Sequence, residues 1–272
     1  SASWIRGTTT IAENAVMNGA SMTIGDSDKA ATLDVNGTLN AGSVLVDGSD
    51  DTVTIDGTAD VTTLTNNGTV TVNGKADVTT LTNLGTVTVS DAVVDVDTFN
   101  NNEQQNSDGS KTSGSLAINN SKFTAENLYN YGKIRISGDS QVIINNVTGE
   151  KYLMYINDGT TLTDSKIASN YVAVDGTLTI KDGEDSDDVG LVLNGLWNNE
   201  AGENGTTIEG GKLVVNGSLL FQYGDYTVSN VTDANYVYFS YESNVTVNGT
   251  VSATSASWIR GTTTIAENAV MN

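Results

Sequence analysis

Apolar and polar residues alternate one for one through short runs of this chain. Val53-Thr54-Ile55, Val70-Thr71-Val72 and Val87-Thr88-Val89 are the clearest. A period of two sends successive side chains to opposite faces, so each run predicts a strand with one face buried. Val70 and Val72 are expected to point inward, and Thr69 and Thr71 outward. The runs close on Asn-Gly, Asp-Gly or a near equivalent, as at Asp56-Gly57 and Asn73-Gly74. Looser echoes recur at 33–40 (LDVNGTLN), 134–142 (IRISGDSQV), 212–220 (KLVVNGSLL) and 245–252 (VTVNGTVS).

Two architectures accommodate this pattern. Asn-Gly between alternating runs is a strong hairpin signal and would give an antiparallel β-meander. In a parallel β-solenoid, each repeat is one coil, and Asn and Gly turn the corners because both tolerate positive φ. The repeats favour the solenoid. Residues 53–69 and 70–86 are identical at 13 of 17 positions, and near-identical residues at a fixed step imply near-identical neighbours, as stacked coils provide. The expected ladders are Val53 on Val70 on Val87, Leu64 on Leu81, and Asn66 on Asn83 on Asn100. The prediction is an all-β, right-handed parallel β-helix of about 13 coils at roughly 20 residues each, rising ~60 Å. Polar, Gly-rich stretches at 100–115, 181–190 and 194–207 read as loops leaving one continuous body.

A second repeat operates at longer range. Residues 1–18, SASWIRGTTTIAENAVMN, recur without a substitution as 255–272, so the period is 254 residues. A solenoid has two open edges that must be capped or continued. Neither copy is charged or helical like a cap, and the Trp4-Ile5 pair is apolar. Continuation is therefore expected, with Trp4, Ile5, Ile11, Val251, Trp258, Ile259 and Ile265 at the unit-to-unit junction. The units would follow one another covalently in a longer chain, or separate chains would join head to tail. The partner in either form is the protein itself. A start at Ser1 without an initiator Met fits a processed chain or a piece of something longer.

Composition sharpens this picture. Twelve Lys and Arg against 33 Asp and Glu give a formal net charge of −21. Nucleic acid is thereby an unexpected partner, as is insertion into an anionic membrane. The repeated segment adds Arg260 and Glu267, which cancel, so the charge belongs to the 254-residue unit. With no His and no Cys, nucleophile–base dyads built on those residues cannot exist. The densest acidic stretch, 181–190, offers Asp182, Glu184, Asp185, Asp187 and Asp188 as weak Ca²⁺ candidates; the plainer reading is a solvated acidic corner. No catalytic residue and no other cofactor is expected. Thr52-x-Thr54, Thr69-x-Thr71 and Thr86-x-Thr88 form a ladder of the kind used to bind ice, although outward Thr is ordinary on a strand. The tyrosines of 232–243, with Tyr223 and Tyr226, read as core and lateral packing. Any function beyond structure is expected in the loops and at Trp197.

Runs such as LTNNGTVTVNG (64–74) and LTNLGTVTV (81–89) resemble the β-helical stalks of bacterial surface adhesins. These are the passenger regions of autotransporters and the filamentous-haemagglutinin-like proteins. The resemblance implies export to the cell surface, a parallel β-helix, a lack of cysteines, and a structural or adhesive role that can involve a host or neighbouring-cell surface. The expected function is a non-enzymatic extracellular filament or stalk of tandem 254-residue units. The alternatives are an adhesin or glycan-binding surface module and a carbohydrate-active β-helical enzyme.

Overall fold

The computed structural model describes residues 2–26, 29–105, 109–149, 154–182 and 189–272. The chain is an all-β parallel β-solenoid of about 13 turns, with no helix among the described residues. The Asn-Gly runs therefore turn corners of parallel coils and are not hairpin turns. Two compact units are distinguished: Ser1–Ile134 with Ile144–Tyr152, and Arg135–Ile143 with Leu153–Asn272.

In the first unit the coils from Thr8 to Asn130 are built on a short strand of four or five residues followed by a nine-residue strand. Thr52–Ile55 precedes Thr58–Asn66, and Thr69–Val72 precedes Lys75–Asn83. Val53 pairs with Val70 and Val70 with Val87, while Leu64 pairs with Leu81. All five are buried. The nine-residue strand changes phase in its middle: Ala76 and Val78 point inward, Thr79 and Thr80 do not, and Leu81 and Asn83 are again buried. Two successive residues outside the core carry the strand around a corner. The coil thus has three faces, from one short strand and the two halves of a long one.

The corner glycines of the regular coils in the first unit have a different cause from the one expected, which holds at Gly138, Gly159 and Gly176, where φ is positive. Gly57, Gly74, Gly68 and Gly85 are absent from the residues with positive φ. What excludes a side chain is the coil beneath. A Cβ at Gly74 would lie 2.2 Å from Gly57 O, and one at Gly85 would lie 2.0 Å from Gly68 O. Positive φ falls on other glycines, among them Gly138, Gly159 and Gly176, and on single Asn and Asp residues such as Asn14, Asp91, Asn120 and Asn230, whose short polar side chains tolerate it.

The buried amide ladder also departs from expectation by one residue. Asn83 pairs with Asn101, and Asn100 pairs with Thr82 on the outer face. The step is 17 residues from Thr69 to Thr86 but 18 from Lys75 to Val93. The corner between them, containing Asp91 at φ 52, holds the extra residue. Asn66 Nδ2 donates to Asn83 Oδ1 at 2.9 Å, Asn83 Nδ2 to Asn101 Oδ1 at 3.0 Å, and Asn101 Nδ2 to Asn130 Oδ1 at 2.9 Å. The next coil is long because it carries an excursion: Glu103–Gln105 and Lys111–Ser113 pair antiparallel outside the main sheet.

The second unit has shorter, less regular strands and an aromatic core. Phe221 and Phe239 are fully buried, with ring centroids 5.5 Å apart, and Tyr226 stacks on Phe221 at 4.3 Å. The stretch 194–207 is only partly a loop. Leu196–Asn198 is a paired strand with Leu196 and Asn198 buried. Asn198 Nδ2 donates to Val174 O at 2.7 Å while its Oδ1 accepts from Val174 N at 2.9 Å. Those two bonds account for a polar residue inside the sheet.

Candidate functional site

The two copies of the 18-residue segment adopt one conformation. Strands Ala2–Ile5 and Thr8–Ile11 in the first copy correspond to the end of Thr250–Ile259 and to Thr262–Ile265 in the second. Asn14 has φ 65 and Asn268 φ 67. The same turn closes in both, Ala15 N to Ala12 O at 2.9 Å and Ala269 N to Ala266 O at 3.0 Å. Arg6 lies over the Trp4 ring at 5.4 Å, and Arg260 over the Trp258 ring at 4.7 Å.

What differs is the edge in use. The first copy pairs with the coil that follows it, Trp4 with Thr23, Ile5 with Ile24 and Ile11 with Val35. The second pairs with the coil that precedes it, Trp258 with Tyr238, Ile259 with Phe239 and Ile265 with Val247. Single peptide groups make the same point. The Ile5–Arg6 peptide uses its carbonyl, accepting from Gly25 N at 2.9 Å. Its equivalent, Ile259–Arg260, uses its N–H, donating to Phe239 O at 2.9 Å. Ile11 O accepts from Asn36 N, whereas Ala266 N donates to Val247 O; Ala15 O accepts from Thr38 N, whereas Val270 N donates to Gly249 O.

Burial follows the edges. Ile5 is 6% exposed and Ile259 45%; Ile11 is 5% exposed and Ile265 44%. Trp4 and Trp258 are exposed in both copies. Val251 is fully buried, paired with Val231 on one side and Met271 on the other.

Of the Ca²⁺ candidates, Glu184, Asp185, Asp187 and Asp188 lie outside the described residues. Asp182 Oδ1 accepts from Lys212 N at 3.0 Å, which makes it a corner cap between coils. Among the described residues no group of three or more His, Cys, Asp or Glu could hold a metal ion. The Thr ladder is longer than its repeats indicated. Thr8, Thr32, Thr52, Thr69 and Thr86 share one column, while the neighbouring one reads Thr10, Asp34, Thr54, Thr71 and Thr88.

One concave site was not legible in the sequence. In the second unit, Arg135, Tyr155, Ala173, Asp175, Asn199 and Glu200 line a cavity of about 330 Å³. They come from strands and a loop up to 65 positions apart in number, and only parallel stacking brings them together. Arg135 lies 5.1 Å over the Tyr155 ring, and its Nη1 donates to Asn157 Oδ1 at 3.2 Å. Compared with known proteins, the chain matches no family model, no curated protein and no solved structure.

Proposed function

We propose that this chain belongs to an extracellular filament or stalk, a non-enzymatic fibre of 254-residue β-solenoid units stacked end to end. One observation carries the reading: the same 18 residues, in the same fold, are half-satisfied twice, on opposite edges. Superimposing the copies completes every peptide group named above. Ile5 would then lie between Phe239 and Ile24, and Ile11 between Val247 and Val35, all inward positions. Continuation also buries the aliphatic surface that Ile259 and Ile265 leave open, a favourable change of about 25 cal/mol per Å².

Covalent continuation is the preferred form, because residues 255–272 and the first coil of a separate chain would compete for one place. Export and a surface location rest on the resemblance of the Thr/Asn/Gly-rich runs to adhesin stalks. The high negative charge would keep neighbouring fibres apart.

The deciding measurement is the mass of the native particle after complete denaturation. A species far above the 28.4 kDa of this chain is expected. A mass near 28 kDa from an extended filament would replace covalent tandem units with a homopolymer. A native particle of that mass would overturn the fibre.

A further inference from the structure

We propose that the second unit carries a lateral binding groove for a linear, uncharged, β-1,4-linked glycan, centred on the cavity above Ala173. Tyr155 pairs with Ala173. Val172 pairs with Leu196, which puts Trp197 beside Ala173 in the next coil. Trp197 pairs with Leu220, Leu220 with Tyr238 and Tyr238 with Trp258. One outward column thus runs across six coils, and every member is apolar or aromatic. Over its first five coils, rings at Tyr155, Trp197 and Tyr238 alternate with the ringless Ala173 and Leu220, and the alternation ends where Trp258 follows Tyr238 directly.

Coils stack about 4.8 Å apart, so rings two coils apart are spaced roughly 10 Å, about the length of a disaccharide in an extended β-linked chain. Aromatic faces spaced in this way suit the apolar faces of alternate sugar rings. The dip at Ala173 gives such a chain depth, and its volume falls in the range of small-ligand pockets. Polar groups converge on its rim to take the hydroxyls. Asp175 and Glu200 accept, Asn199 does both, and the Arg135 guanidinium donates from its place over Tyr155. Asn199 and Glu200 are exposed and free to turn toward a ligand. Two carboxylates against one guanidinium, in a chain of net charge −21, select against an acidic polysaccharide.

The test titrates the 272-residue protein with cellohexaose and, in parallel, with an oligogalacturonate, following heat release and tryptophan emission. Saturable binding of cellohexaose with no response to the acidic sugar is expected. Trp197→Ala and Tyr155→Ala should each weaken it by at least about tenfold, and Ala173→Leu, which fills the dip, should abolish it. Glu200→Gln, at an exposed position, should weaken it severalfold with the circular dichroism spectrum unchanged, so the proposal stays testable if an aromatic variant misfolds. No saturable signal from cellohexaose, equal binding of the oligogalacturonate, or affinity indifferent to Ala173→Leu would each overturn it. So would a groove found occupied by a second copy of the chain, read as self-association that Ala173→Leu removes while cellohexaose stays silent.

Discussion

The side-chain amide of Asn66 donates to Oδ1 of Asn83 across 2.9 Å inside the coil stack, where both residues are fully buried. Asn83 passes the pattern on to Asn101 and also donates to Ser115 O at 3.1 Å. Asn83 therefore satisfies a neighbour on each side, and removing it leaves buried partners stranded. Asn83→Ala is expected to lower unfolding free energy by about 2–4 kcal/mol, the sum of stranded groups and lost packing. Asn83→Asp, which keeps the shape but loses the donor and buries a charge, should cost at least as much. Denaturant unfolding of both variants decides it, and a loss below about 0.5 kcal/mol would show that the ladder is incidental.

Close approach of coils at the corners gives a second expectation. Gly74→Ala places a methyl group where Gly57 O stands 2.2 Å away. Backbone must move, so a loss of about 2 kcal/mol or more is expected. Gly7, with nothing within 4 Å of its Cβ position, should accept Ala with little change. The contrast in thermal midpoints between these two variants is the readout.

Tandem continuation predicts an asymmetry between identical residues. In the 272-residue chain Ile5→Ala should cost about 2–3 kcal/mol and Ile259→Ala less than about 1, because only the former is buried. In a chain extended past Asn272 by residues 19–46, the cost at Ile259 should rise to match that at Ile5. Equal costs before and after extension would refute the proposed junction.

Tyr226 sets an alkaline limit. Burial pushes its hydroxyl pKa up from 10.0 to about 12, partly opposed by hydrogen bonds to backbone at Tyr223 and Gln222 and helped by the nearby Glu200 charge. The folded state therefore holds the proton more tightly than the unfolded chain. The stability this contributes is complete below pH 10 and declines as pH rises toward 12, by about 2–3 kcal/mol over that span. Tyr226→Phe loses the 2.7 Å bond to Tyr223 O at neutral pH but should flatten the decline, measured as the denaturation midpoint against pH.

How far these features could be read in advance depended on how local their causes are. Val53, Val70 and Val87 share a register because the sequence repeats at a 17-residue step. That step is visible only while the repeat is intact. Past Val87 it decays, and the extra residue near Asp91 moves Asn101 into the place expected of Asn100. Gly57, Gly68, Gly74 and Gly85 were legible as corners but not in their cause, which is a carbonyl one coil away, whereas Gly138 and Gly176 have the positive φ expected of a corner. Trp197 lay in a polar stretch that hides a strand, since Asn198 is compatible with the interior only through its bonds to Val174. The 18-residue repeat was plain as an identity. That its two copies use opposite edges follows from pairing, which no reading of one strand alone supplies.

The tightly wound coil of the first unit has a mechanical consequence. Seventeen residues separate Val53 from Val70, yet the two sit in adjacent coils. A coil peeled from the stack by tension would pay out roughly 55–60 Å of extended chain in exchange for about 4.8 Å of stack height. Such a thread would lengthen more than tenfold, and one that yields coil by coil would spend a sudden load in repeated ruptures before the covalent backbone is strained.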